Sequence, residues 1–337
     1  MTSIDPAPRK STGRVVAGFM LALVLALSAY VLIDASRANQ AAFASIWFLA
    51  ILPAFLSALI CYIGDPGNEK PASFYWTVPL VLVAVVIIGS VTVLREGVIC
   101  LIMLAPIWLM SGWIGAFVFR AQRTRTPNQT VLRCSLLFLP LLSGAVESQI
   151  PYSQDRVTLE RRIVIHASPE EIWPFTLANA HIADTEGRWT FAQNIVGLPR
   201  PRATRLVGAG PGAVRTAYWG DSIDFDEIIT EWEPGRRLGW RFSFTNSSLQ
   251  NYTDQHIAPD GQFLKIESGD YTLEPLGPET TRLTLRTVYL AKTHANTYAE
   301  AWGEILLGDV QDNILAILQQ RAESAHRAAG SLTGAPG

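Results

Sequence analysis

Four stretches leave this chain little freedom. Residues about 15–33 ("VVAGFMLALVLALSAYVLI"), 44–63, 74–94 and 98–119 are apolar runs long enough to cross a bilayer. Hydrocarbon offers no water to a backbone N–H or C=O, so a spanning segment must bond its own backbone as a helix, and roughly 20 residues cover the core. A fifth stretch, about 131–150 ("VLRCSLLFLPLLSGAVESQI"), has a shorter unbroken apolar run, with Arg133 and Glu147 near its ends. Side chains so placed reach the interface, and the stretch is expected to be a further span. Arg9, Lys10 and Arg14 precede the first run as in a signal peptide. That run is too long, lacks a small-residue cleavage site and is followed by more spans, so it is expected to be retained as an anchor.

Charge sets the expected orientation. The N-terminus carries Arg9, Lys10 and Arg14, and the segment "RAQRTRTPNQTVLR" carries Arg120, Arg123, Arg125 and Arg133, whereas the outer loops hold only Arg37 and Arg95. Four spans bring both basic segments to one side, the cytoplasmic side of an inner membrane by the positive-inside rule. A fifth span then sends everything after residue 150 to the periplasmic or extracellular side; if that segment lies in the interface instead, the second half stays cytoplasmic. Pro53, Pro79, Pro106 and Pro140 fall within spans, where isolated prolines are tolerated. No Asp, Glu, Lys or His lies deep in a span, which leaves an ion pathway almost no chemistry to use.

The two halves differ in charge. Residues 1–150 hold 10 Lys and Arg against 6 Asp and Glu, and residues 151–337 hold 17 against 23. Neither half has the concentrated basic stripe of a nucleic-acid binder. Cys61, Cys100 and Cys134 all lie in apolar stretches of the first half, without metal-ligand spacing. His166, His181, His256 and His294 are likewise scattered, so no metal site and no cofactor are expected.

After residue 150 the pattern changes. "VTLERRIVIHA" alternates like a strand, and "SPEEIWPF" supplies a Ser cap, Pro at the first helical position and acids in the first turn. A hairpin is expected from about 222–233 paired with 236–244 around Pro234-Gly235, another at Asp260-Gly261, and two strands around Leu276-Gly277-Pro278. "GAGPGAV" lacks the strand, Lys and helix context of a phosphate loop and is expected to be a turn. From about 294 to 325 the chain turns helical, with Trp302, Leu306, Val310, Ile314 and Ile317 forming one apolar stripe. Successive hairpins favour an antiparallel meander, and the stripe needs a concave sheet to cover it.

The blocks "VTLERRIVIHASPEEIWPF", "GPGAVRTAYWGDSIDFDEIITEWEPGRRLGWRF", "SGDYTLEPLGPETTRLTLRTVYL" and "YAEAWGEILLGDVQDNILAILQQRAE" resemble, in that order, the helix-grip superfamily of START-related, pollen-allergen-like and polyketide cyclase/dehydrase proteins (SRPBCC). The resemblance covers about residues 157–325. It implies an antiparallel sheet of the seven-stranded type wrapped round a long C-terminal helix, enclosing a cavity for lipids, sterols, polyketides or other apolar molecules. The expected fold class is an N-terminal α-helical transmembrane bundle followed by a C-terminal α+β helix-grip domain. The expected boundaries are a cytoplasmic tail over 1–13, a transmembrane domain of four to five helices over 14–150, the helix-grip domain over 151–325, and a flexible tail over 326–337.

Such cavities combine apolar walls with a few placed polar groups. On the final helix Trp302, Leu306 and Val310 are candidate lining residues, with plain core packing as the plainer explanation. Gly303 would leave room beside them, and Asp309 and Asn313 border the stripe as a polar wall or a solvated rim. On the strands Glu227, Glu267, Tyr271, Arg286 and Tyr289 are candidates to bond a ligand head group; for each polar one alone, exposure or a cross-strand partner comes first. Nothing in the sequence forces the nucleophile–base or acid–base set that catalysis needs, so no catalytic residues are assigned. The expected function is therefore membrane-anchored binding, with possible transfer, of a lipid or other hydrophobic small molecule. A polyketide cyclase/dehydrase-like enzyme and a membrane sensory or assembly protein are the alternatives.

Overall fold

The computed structural model describes residues 8–35, 45–94, 98–125, 142–249, 259–261 and 263–333. The chain divides into two compact units, Met1–Ser153 with Thr293–Ala295, and Gln154–Lys292 with Asn296–Gly337.

The first unit is helical. It holds α1 (Pro8–Ala35), a π-helical turn (Trp47–Ile51) leading into α2 (Leu52–Gly64), α3 (Ala72–Gly89) leading into a second such turn (Ser90–Leu94), and α4 (Val98–Arg125). Four of its helical stretches, Thr12–Ile33, Trp47–Gly64, Ala72–Thr92 and Ile99–Arg123, are long and apolar enough to cross a membrane. Residues 131–141 of the expected fifth span, with Arg133 and Pro140, lie outside the described residues; residues 142–147 are helical. Helix contacts run through small residues. Gly115 on α4 meets the backbone of Ala54 on α2 so closely that any Cβ there would overlap it, and Gly18 on α1 faces Ile60. Small residues let membrane helices approach where no hydrophobic effect draws them together. Pro79 and Pro106 sit inside α3 and α4, which continue through them.

Two acids of this unit bond helix ends or the turns beside them. Asp65, buried at the end of α2, accepts from the Tyr75 hydroxyl at 2.8 Å and from the backbone N–H groups of Glu69 and Lys70 at 2.9 and 3.0 Å. Glu147 accepts the backbone N–H groups of Ile46 and Trp47 at 2.7 Å each, which satisfies donors that a helix start leaves orphaned.

The second unit is a seven-stranded antiparallel sheet in the order β1-β7-β6-β5-β4-β3-β2. Its strands are β1 (Ser153–Ile165), β2 (Pro201–Val207), β3 (Val214–Trp219), β4 (Ile223–Glu233), β5 (Arg237–Ser243), β6 (Leu264–Gly277) and β7 (Thr280–Thr293). Two short helices, α5 (Pro169–Leu177) and α6 (Phe191–Asn194), separate β1 from β2, and the long α7 (Asn296–Thr333) closes the chain. The first and last strands in sequence lie side by side, every other neighbour is a sequential hairpin, and α7 packs on one face. This is the helix-grip fold.

Local chemistry explains the elements. Ser168 and Glu171 form a reciprocal capping box at the start of α5, with Pro169 at its first position. Gly235, at φ +68°, turns β4 into β5 as a tight hairpin requires. The Gly-rich run 207–213 connects β2 to β3 through Gly208, Gly210 and Gly212, all at positive φ. Asp260 forms an isolated bridge with Lys265, a wider loop than the two-residue turn expected at Asp260-Gly261. The final helix also runs to Thr333, past the expected end at 325, because the segment "ESAHRAAGS" is rich in helix formers and holds no proline.

Helix α7 is held by polar bonds as much as by its stripe. Leu315, Leu318 and Ala322 are buried in the cluster on the sheet, and Ile317 is buried beside Gly187. Arg161 on β1 reaches across Gly308 to the Glu304 carboxylate at 2.7 Å. Arg321 binds Glu186 at 2.5 Å and Asn179 at 3.1 Å, and Gln320 bonds Gly187 through both its carbonyl and its N–H. His326 sits 2.9 Å from Glu171, so the cap of α5 is tied to α7.

Candidate functional site

Alternation on a strand decides which side chains reach the inside. Arg215 on β3 lies directly opposite Glu227 on β4, and Glu227 directly opposite Phe242 on β5. All three point toward the inner face, together with Ile229, Trp240, Tyr271, Leu273, Leu283 and Leu285, which form a single apolar cluster with Leu315 and Leu318 of α7. At the far end of β3, β4 and β5 a second cluster of Ala217, Ile223 and Phe225, flanked by Trp219, Phe242 and Phe244, makes a patch of its own.

Between the two clusters lies an ion pair. The Arg215 and Glu227 side chains are 4% and 9% exposed, and Arg215 Nε donates to Glu227 Oε2 at 2.5 Å. Arg215 also donates to the Thr176 carbonyl at the end of α5, and its guanidinium lies 4.4 Å over the Trp240 ring and 5.5 Å from that of Tyr271. A guanidinium cannot shed its proton, so burying it demands this full set of partners. Burial pushes the Glu227 carboxyl above its ordinary range, against the downward pull of Arg215. Burial likewise raises the Tyr271 hydroxyl to about 12, with Arg215 pulling it down and Glu227 pushing it up.

A row of polar atoms crosses the same face. Trp240 is paired with Gly269, and Gly269 with Thr287. The indole rests on Gly269, where a Cβ would come within 2.6 Å of the ring. Gln311 of α7 donates through Nε2 to Thr287 Oγ1 at 2.8 Å and to the Leu159 carbonyl at 3.5 Å. Tyr289 stands two residues along β7 and fits against Gly303. Trp240 Nε1, Gln311 Oε1 and the Tyr289 hydroxyl are buried and have no hydrogen-bond partner among the described residues. Burial, with Glu300 and Glu304 adding, pushes the Tyr289 hydroxyl up to about 12.

The structure thus brings together part of the expected set. Glu227, Tyr271 and Tyr289 share the inner face, and Leu306 and Val310 are buried on α7. Trp302 is half-buried in a T-shaped contact with Tyr298. Asp309 and Asn313 serve α6 instead: Asp309 accepts from the Ala192 N–H, and Asn313 bonds the Arg188 N–H and the Gln193 amide. Two residues stand apart. Arg286 binds Asp270 at 2.7 Å on the outer face, and Glu267, at an irregularity in β6, pairs with Arg156 at 3.1 Å. The room expected at Gly303 is filled by the Tyr289 phenol. His256 lies outside the described residues.

Arg215, Trp240 and Gln311 were not among the expected residues. The available signal was register: once Pro234-Gly235 fixes the β4–β5 turn, Trp240 falls on the apolar side, and the next strand pairing puts Arg215 opposite Glu227. A separate cleft of about 320 Å³ is lined by Gln154, Asp260, Lys265, Leu290 and Lys292. Lys265 is exposed and Lys292 half-buried, and none of the inner-face residues named above lines it.

No protein-family model and no curated protein matches the chain. Solved structures of similar arrangement include the Zhui aromatase/cyclase from Streptomyces sp. R1128, at 18% identity over 52% of this chain and 99% of that one, TM-score 0.34. Norcoclaurine synthase from Thalictrum flavum, in complex with dopamine and hydroxybenzaldehyde, is similar at 10% identity over 55% and 91%, TM-score 0.33. A protein from Nitrosomonas europaea is similar at 14% identity over 51% and 96%, TM-score 0.32. These values carry nothing about ligand or reaction. The helix-grip fold rests on the strand order and the closing helix, and it agrees with the superfamily that the sequence blocks resemble.

Proposed function

We propose that this chain is a membrane-anchored binding protein whose helix-grip unit takes up a hydrophobic small molecule on the inner face of its sheet. One observation carries the proposal: an aromatic and aliphatic inner face that also holds three buried polar atoms without hydrogen-bond partners among the described residues. An unmet buried donor or acceptor costs about 1–3 kcal/mol, so three on one face is a cost that an occupant would relieve. Burying apolar ligand surface gains about 25 cal/mol per Å², and the aromatic walls supply that surface. Tethering to a bilayer raises the effective concentration of a membrane-soluble ligand, which suits transfer between membrane and site.

The test is native mass spectrometry of the full chain released from nanodiscs, with small molecules that co-purify identified. A discrete non-phospholipid mass, lost when Phe242→Asp is introduced, is the expected result; a chain free of any such mass would sink the proposal. For its placement we favour an inner membrane with the helix-grip unit on the periplasmic side, on the strength of the basic segments and a crossing over residues 131–150. A periplasmic reporter fused after residue 155 should be active, and a cytoplasmic one silent.

A cyclase or dehydratase reading draws on a different observation, the Glu227 carboxyl raised by burial beside Tyr271. Its mark would be turnover of a bound compound that Glu227→Gln abolishes while binding persists.

A further inference from the structure

Lysine is rare in the sheet unit. After residue 150 the chain has 15 arginines and two lysines, Lys265 and Lys292, and both lysines line the same cleft of about 320 Å³. The neighbouring arginines are committed to acids: Arg156 to Glu267, Arg286 to Asp270 and Arg282 to Glu274. Neither lysine has an ion-pair partner among the described residues, although Asp260 lines the cleft with them. The register sets their spacing. Lys265 on β6 lies opposite Leu290 on β7, and Lys292 follows two residues along on the same face, a diagonal of about 7–8 Å. Two like charges so placed repel, and an anion between them turns that repulsion into attraction.

The choice of lysine narrows the anion. A guanidinium fork matches a planar carboxylate, and arginine takes that part in the pairs just named. An ammonium is a compact, strongly hydrated point charge with three donors, which suits the oxygens of a phosphate. Lys265 is exposed and Lys292 half-buried, so the site stays wet, as a headgroup phosphate requires. Leu290 lies between the lysines in the register and also lines the cleft; it gives a glycerol ester an apolar contact that inorganic phosphate would not use. A headgroup that carries its own ammonium would bring a third positive charge beside the two lysines.

The chain holds this cleft near its anchor. Gln154, which also lines it, directly follows Ser153, and Lys292 directly precedes Thr293; Ser153 and Thr293 are grouped with the helices. Gln154 lies four residues past Ile150, no more than about 14 Å of fully extended chain. Leu142, Val146 and Ile150 in that approach are each more than half exposed, as apolar side chains at a bilayer would be. The tether is equally short whether residues 131–150 cross the membrane or lie in its interface.

Resting on the membrane anchoring proposed above, we infer that this cleft holds the phosphate of an anionic phospholipid headgroup, bridged by Lys265 and Lys292, with the Gln154 amide beside it to bond the headgroup's alcohol. The sheet unit is thereby docked on the lipid surface that anchors it.

The chain has four lysines, Lys10, Lys70, Lys265 and Lys292, so the acetylation rate of each can be followed by peptide mass spectrometry. The full chain is placed in nanodiscs of phosphatidylcholine, or of phosphatidylcholine with one third phosphatidylglycerol, at equal ionic strength. Acetylation of Lys292 should be at least fivefold slower with phosphatidylglycerol, and less than twofold slower in Lys265→Gln, because one lysine alone holds the phosphate weakly. Lys265 should respond in the same way in Lys292→Gln, which carries the test should Lys265→Gln lose its near-ultraviolet circular dichroism. Equal rates in the two nanodiscs overturn the inference. So does a slowing of Lys292 that survives in Lys265→Gln, which marks the general surface potential instead of a shared site. Glycerophosphate added to phosphatidylcholine nanodiscs separates the sources: a slowing as large as that with phosphatidylglycerol makes the ligand a soluble phosphate ester and overturns the lipid assignment. A chain that elutes apart from the nanodiscs overturns the anchoring itself.

Discussion

The two units of this chain are built on opposite rules. In the helical unit the large exposed side chains are apolar, among them Leu32 at 72% and Ile88, Met110 and Ile114 above 60%, while its buried acid, Asp65, sits at a helix end among donors. In the sheet unit the outer face carries charge pairs such as Arg286–Asp270 and Arg282–Glu274, and the interior holds an arginine, a glutamate, a glutamine and an asparagine. The solvent that each unit suits explains the difference. Lipid accepts apolar surface and punishes any unmet backbone group, whereas water accepts charge and leaves the interior free to host polar groups that have partners. A helix-grip unit can therefore place charged groups inside, whereas the buried acid of the helical unit sits where a helix ends.

Several changes would break or sharpen that contrast. The largest effect is expected where the sheet unit buries charge. Glu227→Leu strands the Arg215 guanidinium and should destabilise the unit by about 3–5 kcal/mol, read as a lowered melting temperature by near-ultraviolet circular dichroism. Adding Arg215→Met should return most of that loss; if the double variant melts no higher than the single one, the pair is not what holds this interior. In the helical unit the corresponding weak point is close approach rather than charge. Gly115→Leu drives a side chain into the Ala54 backbone and should cost about 1–3 kcal/mol or more, measured by unfolding in graded SDS, with the sheet unit's melting unchanged.

A smaller effect tests the seat of Tyr289. Alanine normally gains about 1 kcal/mol over glycine inside a helix, yet Gly303→Ala should destabilise, because its Cβ would overlap the Tyr289 hydroxyl. Combining it with Tyr289→Phe should restore the gain, and stabilisation by Gly303→Ala alone would show that the phenol moves freely.

The smallest effect is a pH dependence at the α5–α7 tie. His326 holds Glu171 below its ordinary 4.5, so the share of Glu171 is full above that value and fades as pH falls through its lowered pKa. Glu171 in turn holds His326 above its ordinary 6.5, so the share of His326 is full below that value and fades as pH rises through its raised pKa. The tie should act fully between about pH 4.5 and 6.5. The melting difference between the chain and its His326→Gln variant should be greatest in that window and shrink on both sides.

Legibility in the sequence followed the same division. The long apolar helices could be read from composition alone, because an apolar run of about 20 residues suits a helix, and the capping box at Ser168 and the Pro234-Gly235 hairpin are signals contained within a few residues. Arg215 could not be read in that way. In "VRTAYW" a charged residue within an alternating strand marks an exposed position, and only the pairing with Glu227, 12 residues away, turns it inward. Helix α6 spans four residues, too few for any period to register. The polar row depends on three strands and a helix meeting at one place, so nothing local to Trp240, Gln311 or Tyr289 announces it. The extra turns of α7 were missed for the opposite reason: the family resemblance stops near residue 325, and the helix-forming residues beyond it do not.

Gly303 and Gly308 of α7 have a mechanical meaning. Tyr289 seats against Gly303 and Arg161 against Gly308, like two wards in one key. A helix notched in this way can neither slide along its groove nor roll within it without driving a side chain into backbone. Any opening of the inner face therefore falls to the short helices and their loops, while the long rod stays as the fixed jamb of the door.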